Sequence, residues 1–102
     1  MLITFRTYQL SITFYYRCRE LSAPAFLKNQ LLRAASSVSL NLSEGSAKSS
    51  VRDRRRFYSM ALASLRECQT VLELNQTQVP ALVDLADHLG ASLYRLIHPK
   101  AK

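Results

Sequence analysis

Apolar residues recur every three or four positions along most of the chain, the period of helices with one buried face. The clearest run is QLLRAASSVSLNLSEG, residues 30–45. Wound at 3.6 residues per turn, this region aligns Leu27, Leu31, Ala34, Ala35, Val38 and Leu42. The same period predicts four helices, at about residues 3–21, 24–45, 50–75 and 79–98. In the first, Phe5, Tyr8, Ile12, Tyr15 or Tyr16, and Leu21 form the apolar line. Its Thr and aromatic content lowers helix propensity, so packing must hold it. The second starts with Pro24 in its first turn and ends at Gly45, read as a left-handed helix stop.

The third helix begins at an N-cap, Ser49 or Ser50, and carries Asp53 in its first turn against the helix dipole. Its core line is Tyr58, Ala61, Leu65, Cys68 and Leu72, with Phe57 and Leu62 alongside, and the polar run 75–78 ends it. The fourth starts at Pro80 and buries Leu82, Leu85 or Ala86, Leu89, Leu93, and Leu96 or Ile97. Gly90 interrupts it, which a close helix crossing accounts for. His98-Pro99 closes it, and a short basic tail follows. Two Gly and three Pro in 102 residues leave room only for short connections. The expectation is one all-α domain over 1–102, an antiparallel up-down-up-down four-helix bundle.

Beside the apolar face of the second helix runs a polar stripe of Gln30, Arg33, Ser37, Asn41 and Glu44. A surface helix usually carries Lys and Glu there. Amides and hydroxyls in line point to specific hydrogen-bond partners, because such groups are costly to bury unpaired. The second helix is therefore expected to make contacts on two adjacent sides: one the core of its own domain, the other a neighbouring helix, another copy of the chain or a ligand.

Charge is uneven. The net charge is +7, and all of that excess falls in residues 1–58, above all at 48–56. A localised positive field attracts polyanions such as nucleic acid or an anionic membrane; a solvated, solubilising face is the plainer reading. Cys18 and Cys68 are too few for a disulfide framework and fall in apolar registers, as reduced cytoplasmic thiols do. The apolar start is broken by Arg6, Thr7, Gln9, Ser11 and Thr13, so it reads neither as a signal peptide nor as a membrane span.

The run at 30–45, followed by MALASLRE, resembles the small four-helix-bundle proteins of the 23S ribosomal RNA intervening-sequence family. Those are similar in turn to the accessory protein of diversity-generating retroelements. The family's second helix reads Gln, two residues, Arg-Ala-Ala, then Ser, later Asn-Ile-Ala-Glu-Gly. Here Gln30, Arg33, Ala34, Ala35, Ser37, Asn41, Leu42, Ser43, Glu44 and Gly45 take that pattern. The third-helix signature, Ala, two residues, Ser-Leu, one residue, Glu, falls on Ala61, Ser64, Leu65 and Glu67. Tyr8-Gln9-Leu10 is a weaker echo in the first helix. The resemblance covers roughly residues 5–75, and the fourth helix by pattern only. This chain departs from the family at Arg54, usually Phe, at 46–50, usually Gly/Arg-rich, and in a shorter first connection. The resemblance implies a cytoplasmic bundle assembling into a ring-like homo-oligomer, a pentamer favoured, with basic surfaces and no established catalysis. The ribosomal link reflects where such genes are found.

Three clusters carry candidate chemistry. Arg52, Arg55 and Arg56 share one side of the third helix, with Lys48 and Arg54 extending the cluster. Arginine forks match phosphate oxygens, and no base-reading motif accompanies them, so binding to nucleic acid is expected to be non-specific. Gln30, Arg33, Ser37, Asn41 and Glu44, joined by Ser64 and Glu67, form either a polar network within or between subunits or an active site. No His lies nearby to act as a base, which favours the network. Asp84 and His88 make half a metal site that nothing completes. The tyrosines at 8, 15, 16, 58 and 94 are able to stack bases but at helical spacing read first as core or interface anchors. The expected function is non-enzymatic: an oligomeric bundle binding nucleic acid as an accessory factor, without metal, cofactor or membrane. A structural module meeting an acidic protein partner is the alternative, and a hydrolase using Glu44 and Glu67 a distant third.

Overall fold

A computed structural model describes residues 2–99. The expected basic tail lies outside the described residues. Among them stand four helices and no strand: α1, Leu2–Glu20; α2, Ala25–Ser46; α3, Val51–Leu74; and α4, Pro80–Ile97. Each helix packs against two others. α1 and α3 both lie against α2 and α4, and the α2–α3 contact is the most extensive. The molecule measures 43 × 22 × 18 Å.

One core runs the length of the bundle. α2 contributes Leu31, Ala34, Ala35, Val38 and Leu42, and α3 contributes Tyr58, Ala61, Leu65, Cys68 and Leu72, as their periodicity predicts; Leu27 is only half-buried. α4 buries Leu82, Ala86, Leu89, Leu93 and Ile97, which leaves Leu85 and Leu96 half-buried.

α1 departs from expectation. It buries Thr7, Ser11, Phe14 and Cys18, a line one position off the aromatic one read from the sequence. Phe5 is left 59% exposed and Tyr16 55%. The cause lies in the neighbours. Thr7 Oγ1 meets Ser92 Oγ of α4 at 2.6 Å, and Ser11 Oγ meets Ser39 Oγ of α2 at 2.8 Å. Each hydroxyl also serves its own helix: Thr7 donates to the Ile3 carbonyl and Ser11 to the Tyr8 carbonyl. Small hydroxylated residues fit where helices press together, and their polar atoms are fully partnered there. Of the α1 rings, Phe14 stays in the core, while Phe5 and Tyr16 lie on the exposed flanks.

Gly45 corrects the sequence reading. Gly45 is no left-handed stop, since no glycine has positive φ and α2 continues to Ser46. It is buried, and α3 comes so close that an added Cβ would lie within 2.9 Å of Phe57 Cβ and of the Tyr58 ring. The tighter of the two glycine approaches is therefore at Gly45, where α2 leaves and α3 enters. At Gly90 an added Cβ would meet the end of the Arg66 side chain at 3.3 Å and Leu65 at 3.4 Å.

The helix ends follow local chemistry. Pro24 occupies the N-cap of α2 rather than its first turn, and Ser50 caps α3 by accepting from the Asp53 N–H at 3.0 Å. α3 ends with Gln76 at φ 52°; the Thr77 N–H reaches the Leu72 carbonyl and the Gln76 N–H that of Glu73. That pair of bonds closes a helix in the way a C-terminal glycine usually does, here with a glutamine in the left-handed position.

Candidate functional site

The start of α3 carries the basic cluster, and the fold splits it. Arg52, Arg55 and Arg56 are exposed and line one open depression with Asp53, Ser59 and, from the end of α4, Ile97 and His98. The cap at Ser50 starts α3 just before Arg52, so the three arginines fall in its first two turns. The two ion pairs among the described residues are Arg17–Glu20 and Lys48–Glu44, so none of the three arginines is taken up by a carboxylate. Arg56 lies 5.3 Å over the Phe57 ring, which orients its guanidinium without neutralising it.

Lys48 and Arg54 are placed differently. The Lys48 ammonium pairs with Glu44 at 3.2 Å and sits 5.1 Å over the Phe57 ring. Arg54 turns toward the α2–α3 connection, donating to the Lys48 and Ser49 carbonyls at 3.0 Å each. Its stem lines a cleft with Phe5, Tyr8, Leu42 and Tyr58. A guanidinium spent on backbone carbonyls ties off the connection, so the cluster of five expected from sequence reduces to three outward arginines.

The polar stripe is likewise divided. At its centre Ser37 Oγ and Ser64 Oγ meet at 2.9 Å between α2 and α3, and Asn41 Nδ2 donates to the Ser37 carbonyl at 2.9 Å and to Ser37 Oγ at 3.1 Å. Toward one end, Arg33 donates to Gln30 at 2.6 Å on the exposed surface. Toward the other, Glu44 holds Lys48. Glu67 is exposed. Gly45 abuts Phe57 and Tyr58 while the Leu31 carbonyl faces Cys68, so Glu44 and Glu67 stand about 15 Å apart along the helix axes. Two carboxylates at that distance do not share a substrate bond.

Sequence reasoning missed what flanks this stripe. On α2, Phe26 and Leu40 continue its spacing of three and four and are 70% and 69% exposed. On α3, Met60 and Leu74 do the same around Ser64 and Glu67, and both are exposed. The signal was present, since Phe26, Gln30, Arg33, Ser37, Leu40 and Glu44 alternate steps of four and three. Periodicity alone does not distinguish a second apolar seam from a widened core face.

The two thiols sit inside the bundle. Burial pushes Cys18 up to about 12, with the Lys28 charge partly offsetting it. Burial also raises Cys68, reinforced by Cys18 and Glu67. Neither is a nucleophile at neutral pH. Among the described residues no three of His, Cys, Asp or Glu converge as metal ligands, and no helix is long and apolar enough to cross a membrane.

A family model described as 23S rRNA-intervening sequence protein matches residues 4–89, from the first turn of α1 to the middle of α4. No curated protein and no solved structure matches the chain.

Proposed function

The chain belongs to the 23S rRNA-intervening sequence protein family, and on that premise we propose that it is a non-enzymatic, oligomeric bundle that binds nucleic acid through the start of α3. The observation that carries this reading is the grouping of Arg52, Arg55 and Arg56 on one open depression without ion-pair partners among the described residues. Guanidinium groups in this state offer bidentate contacts to phosphate oxygens, and the N-terminus of α3 adds partial positive charge. Contacts of this kind fix position on a backbone without reading bases, which suits an accessory role beside a nucleic-acid-handling partner.

Assembly is part of the proposal. An up-down-up-down course is supported by two contacts: Thr7 near the start of α1 meets Ser92 near the end of α4, and Gly45 meets Tyr58 across the α2–α3 connection. The seam of Phe26, Leu40, Met60 and Leu74 around the Ser37–Ser64 bond is where sister copies dock, in a homo-oligomeric ring, a pentamer favoured. Repetition of the arginine cluster around such a ring raises its avidity for a polyanion. Free, buried thiols suit a reducing cytoplasm.

The test is fluorescence anisotropy with mixed-sequence RNA and DNA across a salt series. Binding that weakens linearly in log–log form, and disappears when Arg52, Arg55 and Arg56 become Glu, is the expected result. Absence of binding at low salt, with an acidic protein recovered in its place, would replace this reading with that of a protein-interaction module. Light scattering checks assembly: a mass well above 11.6 kDa is expected, and a monomer at high concentration rules out the ring.

A further inference from the structure

An exposed aromatic pair lies beside the arginine cluster and has no part in the core. Tyr94 is 54% exposed near the end of α4, and its ring stacks on that of His98 at 4.4 Å between centroids, tilted by 43°. His98 lines the depression that holds Arg52, Arg55 and Arg56. Tyr94 lines a second depression with Arg66, Asp87, Gly90 and Arg95. The stacked rings thus bridge two basic surfaces.

The spacing makes one track of them. Arg56 and Arg66 stand ten residues apart on α3, about 15 Å along its axis. All five arginines on this face are exposed. Arg66 is steadied by Gln69, which in turn donates to Asp87, so its guanidinium is held over Gly90. Gly90 is what lets it lie there, since a side chain at that position would crowd the guanidinium. Cation, aromatic ring, cation is the order along the groove between α3 and α4.

We propose that this groove binds a single-stranded nucleic acid, with phosphates on the arginines at either end and a base stacked on Tyr94. The inference rests on the nucleic-acid reading above and adds the class of strand. A duplex keeps its bases stacked on each other, so it gains nothing from an exposed ring. A single strand offers free π-faces, and stacking on an aromatic side chain tolerates any base. His98 backs the Tyr94 ring and limits its rotation. An acidic peptide meets the arginines but leaves the ring without a flat partner. The α3–α4 groove is also distinct from the α2–α3 seam.

The experiment compares a fluorescein-labelled oligouridylate of roughly 12 nucleotides with an RNA duplex of the same length. The single strand is expected to bind more tightly. Tyr94→Ala is expected to weaken it about tenfold while leaving the salt slope unchanged, because stacking carries no counterion release. Tyr94→Phe is expected to retain binding, and duplex binding to be indifferent to both changes. Arg66→Ala and Arg95→Ala are expected to lower the salt slope. Salt-sensitive binding that depends on Arg52, Arg55 and Arg56 but ignores Tyr94 and strand type overturns this inference and leaves the broader reading standing. Competition by polyglutamate as effective as by oligouridylate also overturns it. No binding of either nucleic acid overturns both. Circular dichroism of each variant separates these outcomes from misfolding, and the exposure of Tyr94 makes misfolding unexpected.

Discussion

The hydroxyls of Thr7 and Ser92 meet at 2.6 Å inside the bundle, 85 residues apart in the chain. Both side chains are buried, and Thr7 also engages the Ile3 carbonyl. Thr7→Val keeps the shape but strips Ser92 of its partner, at an expected cost of about 1–3 kcal/mol. Ser92→Ala alone is expected to cost less, since Thr7 keeps the Ile3 carbonyl. In the double variant no hydroxyl is left unpaired, so it is expected to recover part of the loss. Urea unfolding of all four proteins measures the coupling, and simple additivity would sink the claim of a shared bond.

Gly45 and Gly90 are expected to respond in opposite directions to the same change. Alanine gains about 1 kcal/mol in helix propensity at either position. At Gly45 the new Cβ meets Phe57 Cβ at 2.9 Å, and overpacking of about 1–3 kcal/mol reverses the gain. At Gly90 the nearest atom is the tip of Arg66 at 3.3 Å, which swings aside. Gly45→Ala is therefore expected to lower the unfolding midpoint and Gly90→Ala to raise it, as thermal melts will show.

Gln76 holds a left-handed conformation, φ 52°, that glycine adopts without strain. Gln76→Gly is expected to stabilise the fold by about 0.5–1 kcal/mol, since the relief of strain exceeds the added freedom of the unfolded chain. A melting temperature unchanged or lowered by the substitution would contradict it.

The buried thiols set an alkaline limit. Cys18 rises from an ordinary 9.0 to about 12 on folding, through burial, and Cys68 is raised as well. Between those values the unfolded chain releases protons that the folded chain retains. The stability linked to these groups is full below about pH 9 and is lost as pH climbs toward 12. Comparison of urea midpoints with a Cys18→Ala, Cys68→Ala variant isolates this from tyrosine and lysine titration, and the variant is expected to show the shallower decline. At neutral pH a thiol reagent is expected to react with neither cysteine until the protein unfolds.

The core lines of α2, α3 and α4 were legible because Leu31, Val38, Leu65 and Leu89 recur at helical spacing between polar neighbours. α1 misled for a specific reason. Hydrophobicity ranks Tyr15 and Phe5 above Thr7 and Ser11, yet the space beside α2 and α4 admits only the smaller pair, whose hydroxyls are satisfied by Ser39 and Ser92. Of the site, the arginine cluster was visible as a charge run. That Arg54 leaves it for two backbone carbonyls depends on where the α2–α3 connection runs, which no spacing rule encodes.

Periodicity, two glycines and three prolines were enough to determine four helices and their approximate ends. Those features are local, set by side-chain direction within a few turns. Tertiary structure alone decided which hydroxyls pair, which glycine marks the close crossing, and which cations face solvent. Each of these depends on how near another helix comes, and that distance is settled by the packing of all four helices together.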